Sequence, residues 1–269
     1  MGKLKKGIYI IPSLFTCGNM TCGYLSIISS INGDFTKAAW LLVVAISFDM
    51  MDGRIARLTK TTSEFGVQMD SLSDLLSFGV APSIMMYQFV LNTMGKSGLV
   101  VAVLFVLCSA FRLAKFNTKI DNNDDMFHNS FMGLPTPASA GLLISFILGY
   151  ELFAPDYSKS KINNAVHSPV LLENMSMFLN RLMPVIMVIL SLLMVSNVPY
   201  ISFKNFKLSK PKAFRFLVLI IIILLFVIMF PQNIIFILFS TYIFLGVFVY
   251  VTKYWRVLIK KKRCEKHEN

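Results

Sequence analysis

Charge is scarce in this sequence, and negative charge is scarcer. Asp and Glu number 14 against 26 Lys and Arg, and charged residues make up only 15% of the 269. Soluble domains run near 25%. With 55% hydrophobic residues and a mean hydropathy of +0.66, the chain reads as an integral membrane protein. Histidine is also thin. His128, His167 and His267 are scattered and suggest no metal cluster. The four cysteines, Cys17, Cys22, Cys108 and Cys264, fit neither zinc-site spacing nor a disulfide framework. Three lie in or near apolar runs, where Cys behaves as a small apolar residue. A cleavable signal-peptide pattern is also missing. Lys3, Lys5 and Lys6 lead into an apolar run too long for a signal core, with no small-residue cleavage pattern after it. A retained first helix is therefore expected. The net charge of +12 comes without an aromatic-basic platform, which argues against a nucleic-acid partner. Cytoplasmic loops and anionic headgroups account for it instead.

What is present is apolar length. Eight candidate spans can be marked, at about 10–31, 36–57, 67–92, 97–117, 134–153, 180–198, 213–230 and 232–252. Pro231-Gln232-Asn233 is expected to be a tight turn between the last two. The stretch from Ala154 to Asn180 reads as an irregular or interfacial connection. The expected fold class is thus an all-α integral membrane bundle of about eight transmembrane helices. It divides into residues 1–153 (about five helices), residues 154–252 (the remaining helices of the same bundle) and a basic tail, 253–269.

Charge orients it. An even span count puts both termini on one side. That side carries Lys3, Lys5, Lys6, Arg54, Arg57, Lys60, Arg112, Lys115, Lys119, the five basic residues from Lys204 to Arg215, and seven from Lys253 to Lys266. These are 21 of the 26 basic residues. Lys37, Lys96, Lys159, Lys161 and Arg181 fall opposite. Both termini are expected in the cytoplasm.

Against this apolar background stands FDMMDGRIARLTKTTSEFGVQMDSLSDLLSFG, from Phe48 to Gly79, with Asp49, Asp52, Asp70 and Asp74. An Asp at mid-bilayer costs roughly 2.5–3.5 kcal/mol, so four facing lipid would cost on the order of 10 kcal/mol. Asp49 and Asp52 are three apart, Asp70 and Asp74 four apart, so each pair shares a helix face. Counted from the hairpin around Lys60–Ser63, Asp52 matches Asp70 in depth and Asp49 matches Asp74, the second pair roughly 4–6 Å deeper. Two antiparallel helices can point all four carboxylates into one cluster. Four carboxylates so close cannot all ionise unaided. Divalent cations resolve this, and an all-oxygen set suits Mg²⁺ or Mn²⁺. Four ligand residues suffice for two ions, a pair that clamps both oxygens of a phosphoryl displacement. Gly53, Ala56 and Gly66 are small enough to let a flat or phosphorylated ligand approach the backbone, although helix packing is the commoner use of such residues. Arg57 can pair with a phosphate or with the acids.

The spacing Asp49-x2-Asp52-Gly53-x2-Ala56-Arg57-x8-Gly66-x3-Asp70-x3-Asp74 resembles the full signature of the CDP-alcohol phosphatidyltransferase family. That resemblance implies transfer of a phosphatidyl group from a CDP-linked lipid to an acceptor hydroxyl, with release of CMP. It implies that Asp49, Asp52 and Asp70 hold two divalent ions. Asp74 would be the base, and also a possible metal ligand. Asp52, Gly53, Ala56, Arg57 and Gly66 would line the CDP site. A homodimer in the cell membrane, its site facing the cytoplasm, is implied as well.

The stretches DSLSDLLSFGVAPS (Asp70–Ser83), FRLAKFN (Phe111–Asn117), FMGLPTPASAG (Phe131–Gly141) and IPSLFTCGNMTCGYLSI near the N-terminus resemble the phosphatidylserine synthase branch of the family. Pro12-Ser13 departs from the Pro-Asn of that branch. The branch implies CDP-diacylglycerol as donor and L-serine as acceptor. Serine needs a cation for its carboxylate and oxygens for its ammonium. Arg112 and Lys115 are three apart and face one way. Asn117 can add a hydrogen bond, and Thr136 a weaker one. Snorkelling to the cytoplasmic surface accounts equally for the two cations, and Pro135 and Pro137 equally suit helix initiation. Two alternatives remain: a sister enzyme using glycerol 3-phosphate or an inositol phosphate, and a cation transporter, whose acids would be spread along a path across the membrane.

Overall fold

The computed structural model describes residues 10–59, 63–121, 130–153, 170–196, 198–201 and 231–265. Helix dominates. α1 (Ile10–Ile31) and α2 (Phe35–Thr59) form an antiparallel hairpin. Its turn closes on Gly33, at φ +82°, with Asp34 N–H donating to Ser29 O at 2.9 Å. A left-handed glycine just past a helix end is the usual way to stop it. α3 (Glu64–Asp74) starts at Ser63, whose Oγ accepts from Gly66 N–H at 3.0 Å. α3 does not end at Asp74. It widens into a π-helical turn, Leu75–Val80, and continues as α4 (Ala81–Phe89), with right-handed helical dihedrals at both junctions. A short 3-10 turn, Leu91–Met94, leads to α5 (Lys96–Asp121).

β1 (Ser130–Met132) and β2 (Pro199–Ile201) pair antiparallel, Phe131 opposite Tyr200. Between them lie α6 (Thr136–Phe153) and α7 (Val170–Val195); α8 (Pro231–Glu265) follows. Three-residue strands carry no readable alternation, so the ribbon was absent from the sequence expectation of an all-α fold. Gly133, at φ +87°, turns the chain from β1 into α6, and a Cβ there would overlap Met194 O.

α1 lies against α2, α3, the π turn and α4; α5 packs on α7; α6 packs on α2 and α8. Ala38, Ala39, Leu42, Phe78, Met85, Phe105, Leu143 and Ile144 form the centre of the core. Away from the aspartates, Phe89 stands edge-on to both Phe35 and Tyr150, at 5.1 and 5.2 Å between ring centres.

The interior is unusually polar and the exterior unusually apolar. Asn19, Ser26, Ser73, Ser77, Ser109, Thr136 and Ser191 are wholly or almost wholly buried, whereas Val100, Phe111, Leu192, Phe244 and Phe248 are each more than 60% exposed. Hydroxyls cross between helices to backbone carbonyls: Ser26 to Ala38 O (2.9 Å), Ser73 to Thr16 O (3.1 Å), Ser77 to Asn19 O (3.0 Å) and Ser83 to Ala102 O (2.7 Å). Apolar side chains outward and small polar ones inward is the distribution that lipid imposes.

Several expected boundaries shift. α7 begins at Val170, inside the stretch expected to be irregular, and ends three residues before the expected 198. It stops where the chain turns into β2. Pro231-Gln232-Asn233 is the first turn of α8, not a loop, because Pro at a helix start forfeits no hydrogen bond. α8 runs on through most of the basic tail to Glu265. The 213–230 span, the three histidines and many of the orienting Lys and Arg residues lie outside the described residues. Among the described residues, one helix, Lys96–Thr118, is long and apolar enough to cross a membrane; Thr136–Tyr150, Arg181–Val195 and Ile234–Tyr250 are shorter apolar helices. The eight-span count is therefore not established by these helices.

Candidate active site

Asp49 leaves α2 just past its middle, and Asp70 and Asp74 leave α3. Carboxylate oxygens of these three lie within 4.8 Å of one another. The i,i+4 step puts Asp70 and Asp74 on one face of α3, and the antiparallel hairpin brings Asp49 to them.

Asp52 takes a different position from the expected fourfold cluster. It stands outside that group of three, and its Oδ2 accepts from Thr16 Oγ1 at 3.0 Å in a buried contact with α1. It still lies near enough to interact with the charges of Asp49 and Asp70. The sequence count treated α2 and α3 alone. The third helix in the site, α1, supplies the partner that turns Asp52 aside.

α1 also supplies Asn19, which sequence reasoning did not single out. Its Nδ2 donates to Asp74 Oδ1 at 3.4 Å. Thr16 and Asn19 are three apart on one face of α1, each donating to one aspartate, and their carbonyls accept from Ser73 and Ser77. The signal was present: polar residues at helical spacing in an otherwise apolar span.

The four residues expected at an acceptor site separate. Arg112 and Thr136 meet: Arg112 Nη1 donates to Thr136 Oγ1 at 2.9 Å, and Thr136 is fully buried at the start of α6. Arg112 also interacts electrostatically with Asp74 and Asp49, and with Tyr242 from α8, another residue the sequence did not flag. Asn117 is engaged elsewhere. Its Nδ2 donates to Ser71 Oγ at 2.9 Å and reaches Gln68 Oε1 at 3.5 Å, pinning α5 to α3 beside Asp70. Lys115 is half-buried one turn past Arg112.

The expected small positions behave differently from one another. A Cβ on Gly53 would meet nothing within 4 Å, whereas Gly66 faces the Ser63 cap at 3.1 Å. The side chains of Ala56 and Arg57 lie outside the described residues. Cys17, Cys22 and Cys108 are free thiols.

Three buried side-chain atoms have no hydrogen-bond partner among the described residues: Asp70 Oδ1, Asn19 Oδ1 and Arg112 Nε. An unpartnered buried carboxylate oxygen within a group of three carboxylates is a costly arrangement by itself. It fits a hard divalent cation, because the donors are all oxygen and carry negative charge.

The family profile described as CDP-alcohol phosphatidyltransferase matches residues 9–173. A Helicobacter pylori protein named CDP-diacylglycerol–serine O-phosphatidyltransferase is 33% identical over 256 residues, covering 95% of this chain and 97% of its own. Archaetidylserine synthase of Methanothermobacter thermautotrophicus is 39% identical over 140 residues, 51% of this chain and 58% of that one. A Bacillus subtilis protein, also named CDP-diacylglycerol–serine O-phosphatidyltransferase, is 32% identical over 141 residues, 52% of this chain and 77% of its own.

Proposed function

Because the chain belongs to the CDP-alcohol phosphatidyltransferase family, we propose that it transfers the phosphatidyl group of CDP-diacylglycerol to the hydroxyl of L-serine and releases CMP. The observation that carries this reading is the convergence of Asp49, Asp70 and Asp74 within 4.8 Å, from two antiparallel helices and beside the half-buried Arg112. The names of the relatives support serine as the acceptor.

The family uses divalent metal ions. Here Asp49, Asp52 and Asp70 would hold two, Mg²⁺ or Mn²⁺, with Asp74 as base and as a further ligand. Bound there, the ions neutralise the pyrophosphate and make CMP a better leaving group. Asp74 takes the proton of the serine hydroxyl. The oxygen forms a bond to the phosphorus that bears diacylglycerol, and the bond from that phosphorus to CMP breaks. Gly53 leaves open space against the α2 backbone for the CDP moiety, and the family signature adds Ala56, Arg57 and Gly66 as further contacts to it. Arg112, held by Thr136, faces the serine carboxylate, with Lys115 nearby.

The family is membrane-associated. In this reading the protein is an eight-span bundle with both termini in the cytoplasm, its site opening to that side, and it works as a homodimer. Residues 1–153 form the catalytic core, 154–252 complete the bundle, and 253–269 lie against anionic headgroups. The cation-transporter alternative fits less well, because the acids gather in one cluster rather than along a path.

The test is CMP release by purified protein in mixed micelles with CDP-diacylglycerol and Mg²⁺ or Mn²⁺. L-serine, glycerol 3-phosphate and an inositol phosphate are offered separately, with Asp74→Asn alongside. Release that needs both serine and metal, and that Asp74→Asn loses, is expected. Release only with a phosphorylated acceptor would overturn the serine assignment. No release with any acceptor, from folded and metal-loaded protein, would overturn the enzyme assignment.

A further inference from the structure

Asn19 is a side chain that the proposed chemistry leaves unused. It is fully buried in the middle of α1. A primary amide carries two donor hydrogens and two acceptor lone pairs. Its donor end is spent on Asp74 Oδ1 at 3.4 Å, while Oδ1 has no hydrogen-bond partner among the described residues. In this structure Nδ2 faces Asp74, which leaves Oδ1 as the unused end of the amide.

Arg112 presents the complement. Its Nη1 is used by Thr136, its Nε has no partner among the described residues, and its charge acts on Asp74. Asp74 thus sits near one spare buried acceptor, on α1, and one spare buried cationic donor, on α5. Each is costly to leave unsatisfied in a buried site. A ligand with an N–H donor, a carboxylate and a hydroxyl on adjacent carbons carries a partner for each of them and a hydroxyl for Asp74.

Resting on the serine reading above, we infer that Asn19 selects the acceptor: Nδ2 positions the Asp74 carboxylate, and Oδ1 accepts a hydrogen from the ammonium group of serine. One amide thereby ties recognition of the acceptor to the group that deprotonates it. A site built to hydrogen-bond a polar group discriminates strongly against an analogue lacking it, because its own buried atom is then left unpaired.

The experiment compares L-serine with 3-hydroxypropanoate, which keeps the hydroxyl and carboxylate but lacks the ammonium. The full-length protein and the variants Asn19→Ala and Asn19→Leu are assayed for CMP release. Serine-induced change in melting temperature serves as a binding readout independent of turnover. The parent is expected to prefer serine in kcat/KM by about a hundredfold or more. In Asn19→Ala that preference falls by roughly tenfold or more, serine KM rises, and the KM for CDP-diacylglycerol stays within about twofold. An unchanged preference in either folded variant would overturn the inference. So would a rise in both KM values together, which marks a merely structural residue. Should neither variant fold, equal use of the two acceptors by the parent still sinks the inference. A parent active only with phosphorylated acceptors would instead show that the serine reading itself is wrong.

Discussion

Replacing Gly23 by alanine tests how closely α1 must approach the aspartate helix. Gly23 lies one turn after Asn19 and faces Ser77 in the π turn. A Cβ there would overlap Ser77 Oγ and stand 2.9 Å from Ser77 Cα. The hydroxyl can rotate away, though it then gives up its bond to Asn19 O. The backbone Cα cannot. Carbon–carbon contacts settle at about 3.5–4.0 Å, so the two helices must part by roughly 0.6–1 Å at this level. The Asn19–Asp74 hydrogen bond, already 3.4 Å long, does not survive such a separation. Overpacking costs about 1–3 kcal/mol, and the better helix propensity of alanine returns about 1 kcal/mol. Displacement of a site by about 1 Å can lower a rate about a hundredfold. The loss of activity should therefore exceed the loss of stability. Serine-dependent CMP release and thermal unfolding in detergent give the two numbers, with Gly149→Ala on α6 as control. A Cβ at Gly149 meets nothing within 4 Å, so that variant should match or slightly exceed the parent in stability. If Gly23→Ala keeps kcat within twofold and unfolds with the parent, the close approach has no functional consequence and the reasoning fails.

Three further outcomes follow from the site. Gly53→Ala should match or slightly exceed the parent in stability, since nothing stands in the way of its Cβ, yet raise the KM for CDP-diacylglycerol by about tenfold; an unaltered KM would remove Gly53 from the donor site. Thr136→Val removes the oxygen that Arg112 Nη1 donates to, and hydrogen bonds to charged groups are worth about 1.5–3 kcal/mol. Serine KM should rise about ten- to a hundredfold while the KM for CDP-diacylglycerol holds, and equal rises in both would point to a general packing defect. Asp70→Asn should lower turnover by about 10²–10³-fold and abolish any thermal stabilisation by added Mg²⁺ or Mn²⁺; stabilisation of undiminished size would show that the ions bind elsewhere.

Much of the architecture was legible because its causes are local. The expected spans 10–31 and 36–57 lie within two residues of α1 and α2, because each is a long apolar run. The shared faces of Asp70 and Asp74 follow from 3.6 residues per turn. The ribbon of Ser130–Met132 with Pro199–Ile201, and the π turn after Asp74, have no such local cause. Each is chosen by packing between segments: the ribbon by two strands far apart in sequence, the widened turn by the close fit of Ser77 and Gly79 against α1 and α5.

The same division runs through the site. The sequence by itself determined that carboxylates meet near the end of a helical hairpin, because spacing on a helix fixes the face and hairpin counting fixes the depth. It also determined that burying them needs compensation, since charge placed in an apolar medium carries a large penalty whatever the fold. Only the tertiary structure decided how that charge is shared out. It drew Asp52 toward Thr16, gave Asp74 an amide partner in Asn19, joined Arg112 to Thr136 and committed Asn117 to Ser71. These are contacts between residues 24 to 55 positions apart. No periodicity encodes them, because they depend on which helix faces which and at what distance.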